Sequence, residues 1–310
     1  MISCTDFIPS YSELFKFLED NYGNEAVQLF WKDLFDPNKN GPTHLLEEEL
    51  TNAGLAGCWN YWTHTLNEEA ADFEMYLNEA DGWYLNRMNH CPSKGRLLEA
   101  THLEPYHDYC SHCDLYRQAV EKHGLVYTYD FTGCGEAKCS LMVTDPAKFK
   151  GTMKITPETK IMKRSAADNR YFHKDFHLSA NAGLEYLGLH YGEEAVVRYL
   201  TQYTRAYLHP LVKKIRENGL GELVAYLEDL YAREEASDVL SVKLDGDCLA
   251  VSVRECPAVR HIKVQGREVS RWYQKTLSVV MAVIAEDAGY RFSLDAYNPE
   301  TGAAKYVVSL

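Results

Sequence analysis

The hydrophobic residues near the N-terminus recur with the period of an α-helix. A period of 3.6 residues places most of them on one face. The stripe consists of Leu14, Phe15, Leu18, Tyr22, Ala26, Val27, Phe30, Trp31 and Leu34. The stretch 184–200 has the same spacing, and its LGLHYGEEAV matches LEDNYGNEAV in the first stretch. The pattern predicts an amphipathic helical region at the start of each half of the chain.

Alternating apolar and polar residues predict a β-hairpin further along each half. The first segment, FEMYLNEADGWYLNRMNHCP, turns at Asp81-Gly82, and the second, VLSVKLDGDCLAVSVRECP, turns at Asp245-Gly246. An Asp-Gly pair between alternating segments is a strong short-range signal for a hairpin. Both hairpins end in a Cys-Pro pair.

A helix is predicted after each Cys-Pro pair, over 112–123 and about 269–287. Gly124 and Gly289 follow these helices at the same distance from their Cys-Pro cysteines. Glycine commonly ends a helix because it adopts the left-handed conformation without steric cost. The strands predicted after the two glycines align without a gap, with Asp130 opposite Asp295.

This shared order of elements predicts a tandem duplication. We expect an α+β fold of two pseudo-repeated units, each with helices packed on a small antiparallel sheet. The expected boundaries are 1–150 for the first unit, 151–170 for a basic, proline-containing linker, and 171–310 for the second unit. The Cys-Pro pair, the glycine and the apolar strand positions are common to both copies, so they are expected to be structural.

The chemically active residues are concentrated in one copy. The segment 90–139 holds five of the nine cysteines and five histidines. The second copy replaces its thiols and acid with Lys275, Ser278, Val279, Pro299 and Ala304, opposite Cys110, Cys113, Asp114, Cys134 and Cys139. Residues that only one copy carries are the functional candidates.

Several of these residues also carry a family resemblance. The run HCP-x2-G, the group YHDYCSHCD, a glycine before a strand and a closing C-x4-C resemble the L-2-amino-thiazoline-4-carboxylic acid hydrolase family of small α+β domains. Cys110, Cys113 and Asp114 match its most recognisable motif. The resemblance covers the first unit well and the second only in its scaffold. It implies hydrolytic opening of a cyclic amidine to give a carbamoylated cysteine.

One interpretation of the thiols is covalent catalysis. The group Cys110 to Asp114 is predicted to begin a helix, where unpaired N–H groups and the helix dipole stabilise a thiolate. Cys113 or Cys110 would then attack an amidine carbon while a histidine such as His112 protonates the departing nitrogen. Asp114 would raise a neighbouring thiol pKa, but it could orient a histidine.

A second interpretation is a metal site. Cys110, Cys113, Cys134 and Cys139 form C-x2-C, twenty residues and C-x4-C, a spacing slightly looser than that of a zinc ribbon. His90, His107 or His112 could replace one thiolate. The zinc would be structural, or would keep an open position that activates water. An iron–sulfur cluster and a Cys134–Cys139 disulfide are less favoured alternatives.

The second unit contributes a histidine pair. If their segment is helical, His173 and His177 lie one turn apart on one face, as a metal pair or an acid–base pair would. We therefore expect an active site between the two units, with thiols from one and histidines from the other. His107, Cys91 and Arg260 complete the expected set as substrate-binding residues, Arg260 as a carboxylate ligand. Surface or packing histidines are the competing interpretation.

The composition limits the binding partners and the cellular compartment that we expect for the protein. With 32 basic and 45 acidic residues, the chain lacks the basic excess typical of proteins that bind nucleic acid or anionic membranes. No signal sequence or membrane-spanning apolar run is evident, so we expect a cytoplasmic protein with reduced thiols.

Two functional hypotheses follow. The first is a hydrolase that opens or cleaves a C–N bond of a small cyclic amidine or amide by a cysteine- or metal-assisted mechanism. The second is a non-catalytic duplicated sensor module that holds a small ligand or metal. Oligomer formation is compatible with both.

Overall fold

The computed structural model describes residues 1–36, 42–68, 71–165 and 173–310. Within these ranges the chain forms eleven α-helices and two antiparallel sheets, so the predicted α+β class is confirmed. None of the described helices combines the length and the apolar character needed to cross a membrane.

The chain divides into two compact units. We call them the thiol-rich unit, 22–101 with 105–173, and the C-terminal unit, 1–21 with 102–104 and 174–310. These boundaries differ from the predicted division at 150 and 171, because the first helix packs with the second half. Phe7 stacks on Phe176 with ring centroids 4.6 Å apart, and the Tyr199 hydroxyl donates to the Ser10 carbonyl at 2.9 Å.

The thiol-rich unit consists of helices around a five-stranded sheet. Its helices are α2 (Asn24–Leu34), α3 (Pro42–Ala53), α4 (Leu55–Glu68), α5 (Pro92–Glu99) and α6 (Arg117–Lys122). Its strands are β1 (Asp72–Asn78), β2 (Trp83–His90), β3 (Val126–Asp130), β4 (Cys139–Thr144) and β5 (Lys160–Arg164), in the order β3-β4-β2-β1-β5. Strand β5 lies in the segment predicted as a linker and pairs with β1.

The core of this unit lies between the sheet and α4. Phe73, Tyr84 and Val143 are fully buried on the sheet, and the Trp62 ring of α4 stacks on Tyr84 with centroids 5.7 Å apart. Alternate strand residues point to the same face of a sheet, so the alternation seen in the sequence supplies this apolar layer.

The C-terminal unit has a similar architecture. Its helices are α1 (Phe7–Tyr22), α7 (Phe176–Tyr207), α8 (His209–Asn218), α9 (Gly221–Arg233), α10 (Pro257–Val264) and α11 (Lys275–Ala288). Its strands are β6 (Leu240–Asp245), β7 (Cys248–Val253), β8 (Arg291–Tyr297) and β9 (Ala304–Ser309), in the order β6-β7-β9-β8.

Both predicted hairpins are present. Strands β1 and β2 pair at Asn78 and Trp83, which encloses the Asp81-Gly82 turn. Strands β6 and β7 pair at Asp245 and Cys248 around Gly246. Both glycines have the positive φ that such tight turns require.

The two sheets agree in strand order and in register. The order β3-β4-β2-β1 corresponds to β8-β9-β7-β6. Met88 pairs with Cys139 in the first sheet, and at the matching positions Val253 pairs with Ala304 in the second. Gly23 and Gly192 interrupt the long helical segments with the same φ of 84°. These equivalences support the duplication, which stays an inference from pattern and topology.

Two predicted helices differ from the structure. A 3₁₀ helix occupies Tyr109–Tyr116, and only the last turns, Arg117–Lys122, are α-helical. In the second half α11 begins at Lys275 rather than near 269. Gly124 and Gly289 both follow their helices with positive φ, as expected.

Candidate functional site

One pocket of the thiol-rich unit gathers the cysteines that the sequence singled out. It encloses about 290 Å³, part of which is open to solvent. Its lining consists of Cys91, Ser93, Lys94, Tyr109, Cys110, His112, Cys113, Tyr129, Cys134, Ala137, Lys138 and Cys139. Every lining residue comes from 91–139, the segment in which the sequence concentrates thiols and histidines.

Four short elements place the thiols. Cys91 is the N-cap of α5, where its Sγ accepts the Lys94 N–H at 3.5 Å. Cys110 and Cys113 lie in the 3₁₀ helix, Cys134 begins a second 3₁₀ turn, and Cys139 begins β4. The loops between these elements return to one corner because β2 and β4 are neighbours in the sheet.

His112 is oriented by its own 3₁₀ helix. Its Nδ1 contacts the carbonyl oxygen of Tyr109, which can only accept, so Nδ1 carries the proton in the neutral ring. The other nitrogen, Nε2, is therefore unprotonated, and it lies 3.7 Å from the Sγ of Cys113. Backbone geometry thus aims a proton acceptor at one thiol.

Aromatic packing determines the protonation state of this histidine. The rings of Trp31, Phe35 and Tyr109 have centroids 6.2, 6.3 and 5.0 Å from that of His112. Burial penalises the imidazolium and lowers the pKa of His112 to about 4. The ring is consequently neutral at physiological pH and can accept a proton.

The thiols of Cys110 and Cys139 are kept protonated. Burial first, and then the neighbouring Cys113 and Cys134, raise the pKa of Cys110. Burial and then Cys91 raise the pKa of Cys139, to whose sulfur the Tyr129 hydroxyl donates at 3.2 Å. Cys110 is the second residue of the 3₁₀ helix, but burial and the neighbouring thiols outweigh the effect of the helix N-terminus, so the predicted stabilisation of a Cys110 thiolate is not found.

Two lysines add positive charge to the lining. Lys138 Nζ is paired with Glu136 at 2.7 Å. The Lys94 ammonium lies close enough to Cys134 to lower its pKa, although burial dominates and raises it. Among the described residues no carboxylate lies within ion-pair distance of Lys94, so its charge is available to an anionic ligand.

Some predicted site residues lie outside this pocket's lining. Asp114 forms an ion pair with Arg117 at 2.7 Å rather than orienting a histidine. Arg260 is paired with Glu255 at 3.4 Å. His107 packs beside Tyr106, with ring centroids 4.5 Å apart. None of the three lines the pocket, so the substrate-binding roles of Arg260 and His107 receive no support here.

The histidine pair is not the helical pair that the sequence suggested. Helix α7 begins at Phe176, so His173 precedes the helix and only His177 lies on it. Neither lines the thiol pocket. His177 is buried in the C-terminal unit, with its Nε2 3.0 Å from Glu234 Oε2.

Glu234 and Cys4 are functional candidates that the sequence analysis missed. Glu234 Oε1 accepts the backbone N–H of Cys4 at 2.7 Å. Burial alone would raise the pKa of Glu234, but the bonds from His177 and Cys4 hold it below its ordinary value. Burial and the Glu234 carboxylate raise the pKa of the Cys4 thiol. No local motif signals this cluster, because its members are far apart in sequence.

The buried cluster and the thiol pocket differ in how close their potential metal ligands lie to one another. Among the described residues, Cys4, His177 and Glu234 are the group whose ligand atoms all lie within 4.8 Å of one another. The thiols of the pocket do not meet that distance in any group of three, although Cys110 and Cys134 are hydrogen-bonded. All nine cysteines are free thiols, so the structure contains no Cys134–Cys139 disulfide.

Comparison with known proteins adds no relative. No family model, no curated protein and no solved structure matches the chain. The resemblance to the thiazoline carboxylate hydrolases accordingly stays a prediction from the quoted motifs.

Proposed function

We propose that the chain is a cysteine-dependent hydrolase of a small cyclic amidine or amide, with Cys113 as nucleophile and His112 as its proton acceptor and donor. The observation that carries this proposal is the approach of the unprotonated His112 Nε2 to Cys113 Sγ at 3.7 Å. A nucleophile beside a base whose tautomer is held by a third group is the general arrangement of covalent catalysis. Here the third group is the Tyr109 carbonyl.

The pocket favours a small anionic substrate. Its volume of about 290 Å³ includes space open to solvent, which limits the substrate to a small molecule. Lys94 is the lining cation left for a carboxylate, since Lys138 is paired with Glu136. Tyr109 and Tyr129 supply flat apolar walls. A five-membered ring with an amidine and a carboxylate, as the family resemblance implies, agrees with these features.

The chemistry can be written with the chain's own groups. Cys113 gives its proton to Nε2 of His112 as its sulfur forms a bond to the amidine carbon. The imidazolium then protonates the ring heteroatom that leaves this carbon, and the ring opens. Water adds to the same carbon, giving one proton to sulfur through His112 and the other to the amidine nitrogen. The sulfur–carbon bond breaks, and the thiol is restored.

The low pKa of His112 favours protonation of the leaving group more than it favours removal of the thiol proton. An imidazolium with a pKa of about 4 is a strong proton donor to a leaving group. The neutral ring is a weak base, so it accepts the thiol proton only as the carbon is attacked. We expect chemistry to depend on a well-oriented substrate rather than on a free thiolate.

A second candidate function is a non-catalytic module that binds a metal or small ligand through its thiols. The specific observation in its favour is that five cysteines line one small pocket, more than a single nucleophile requires. A metal ion would deprotonate its thiol ligands, and small side-chain movements would be needed to bring them together.

Turnover of 2-amino-thiazoline-4-carboxylate, followed by mass spectrometry, separates the two candidates. We expect hydrolysis by the unaltered protein, a loss of at least about 100-fold in Cys113→Ser, and no change in Cys248→Ser, an exposed cysteine of the other unit. A fully active Cys113→Ser protein would exclude this nucleophile. No turnover together with metal bound in the pocket would favour the binding module.

Cytoplasmic location and oligomer formation remain expectations from sequence. A redox-sensitive probe fused to the chain, and gel filtration with light scattering, would test them.

A further inference from the structure

The buried cluster of Cys4, His177 and Glu234 lies outside the proposed catalytic pocket and has no role in its chemistry. Its three side chains are each at most 2% exposed. They come from the turn before α1, the first turn of α7 and the C-terminal end of α9. Long-range packing of the C-terminal unit therefore assembles a sulfur, a nitrogen and an oxygen donor at one point.

We propose that Cys4, His177 and Glu234 bind one zinc ion. Zinc prefers thiolate, imidazole and carboxylate ligands at about 2.0–2.3 Å in tetrahedral geometry. A tetrahedron with those bond lengths separates its ligand atoms by about 3.3–3.7 Å. The three ligand atoms already lie within 4.8 Å of one another, so an ion fits after small rotations of the side chains.

Charge balance supports zinc over harder cations. A thiolate and a carboxylate together neutralise a divalent ion, and His177 binds as a neutral ring. A buried charge is tolerated only when it is compensated. Calcium and magnesium prefer sites built from oxygen ligands alone, whereas this set contains one sulfur and one nitrogen.

The backbone makes a tight turn directly after Glu234. The Glu235 and Ala236 N–H groups return to the Ala232 and Tyr231 carbonyls at 3.0 and 2.9 Å, which is a Schellman motif. Glu235 occupies its left-handed position with φ 53°, where glycine is usual. Strain of this kind persists where surrounding structure over-determines it, and it concentrates at functional sites. Here it turns the chain directly after the Glu234 ligand.

The competing interpretation is a metal-free buried pair of His177 and Glu234, with the Cys4 thiol as an additional donor. In that arrangement His177 Nε2 carries a proton toward the carboxylate, and Cys4 stays a thiol. Zinc binding replaces both protons, so the two interpretations predict different stoichiometry and spectra.

The test is zinc binding in a background that lacks two of the five pocket thiols, Cys110 and Cys113, and so cannot form the predicted four-cysteine site. In the Cys110→Ser/Cys113→Ser protein, elemental analysis after incubation with zinc chloride and gel filtration should give one zinc per chain. Cys4→Ala, His177→Ala and Glu234→Gln added to this background should each lose most of that zinc. The exposed Cys248→Ser should retain it.

Cobalt substitution keeps the test decisive if a variant fails to fold. Cobalt added to the same background protein should show tetrahedral visible bands and a thiolate charge-transfer band in the near ultraviolet. No stoichiometric zinc, retention of zinc in folded Cys4→Ala, or a cobalt spectrum without a thiolate band would each overturn the proposal. Activity of the unaltered thiol pocket is measured separately, so failure of one proposal does not count against the other.

Discussion

Nε2 of His112 lies 3.7 Å from Sγ of Cys113, while Nδ1 of the same ring contacts the Tyr109 carbonyl. Neighbours in sequence do not usually face each other, but the 3₁₀ turn and the aromatic packing of His112 bring this pair together. The relationship gives one thiol of the five a proton acceptor of defined tautomer.

Removing that acceptor should affect Cys113 selectively. We expect His112→Gln to lower kcat/KM by about 10²–10⁴-fold, the usual contribution of general acid–base catalysis. Steady-state kinetics measures this loss. His107→Gln, a substitution outside the pocket lining, is the matched control and should leave the rate unchanged. Equal losses in the two variants would contradict the assigned role.

The pKa of His112 also predicts a pH dependence of stability. It falls from an ordinary value of 6.5 to about 4 on folding, so the unfolded chain binds a proton at a higher pH than the folded one. Between pH 6.5 and about 4 unfolding therefore takes up a proton. The free energy of unfolding should decrease by up to about 1.4 kcal/mol per pH unit as the pH is lowered.

Urea unfolding gives the free energy of unfolding of the unaltered protein and of His112→Gln at each pH. The difference between the two isolates the contribution of His112, because the other groups titrate in both proteins. This difference in the free energy of unfolding should become smaller as the pH falls from 6.5 toward 4 and stay constant above pH 6.5. A difference independent of pH would show that His112 keeps its ordinary pKa when folded.

Glycine at position 235 should stabilise the fold. The left-handed conformation of Glu235 costs roughly 1–2 kcal/mol, and glycine recovers it against an entropy loss of about 0.5–1 kcal/mol. The exposed ion pair with Lys174 contributes little. We expect Glu235→Gly to raise the free energy of unfolding by about 0.5–1 kcal/mol in urea titrations.

Glu228→Gly provides the opposite control, inside the helix α9 that Glu235 follows. Glu228 is exposed and helical, so glycine there should destabilise by about 1 kcal/mol. A decrease in stability at both positions would mean that the turn after Glu234 is not strained.

Close helix packing gives a further prediction, at Gly188. A Cβ at this position would lie 2.3 Å from the Trp272 ring, and Trp272 is 4% exposed and has little room to move. We expect Gly188→Ala to lower the free energy of unfolding by about 1–3 kcal/mol through overpacking.

The comparison for Gly188 is Gly221→Ala. No heavy atom lies within 4 Å of a Cβ built at Gly221, and the residue begins α9. Alanine should be neutral or slightly stabilising there. Thermal unfolding compares the two variants. If Gly188→Ala were as stable as Gly221→Ala, the predicted clash with Trp272 would be contradicted.

Local signals in the sequence predicted much of the fold. Asp81-Gly82 and Asp245-Gly246 marked both hairpins, and Gly124 and Gly289 marked the ends of two helices. These features depend on neighbours within a few positions, where backbone sterics and alternation act directly. The concentration of thiols between Cys91 and Cys139 likewise pointed to the residues that line the pocket.

Other features depended on contacts between distant segments. The helix dipole argument for Cys110 failed because burial among other thiols outweighs it. His173 and His177 lie on opposite sides of a helix start that spacing alone does not locate. The partnership of Cys4, His177 and Glu234 joins segments that only packing brings together. Sequence periodicity records which residues are buried, whereas burial, proton sharing and ligand geometry arise once separate elements meet.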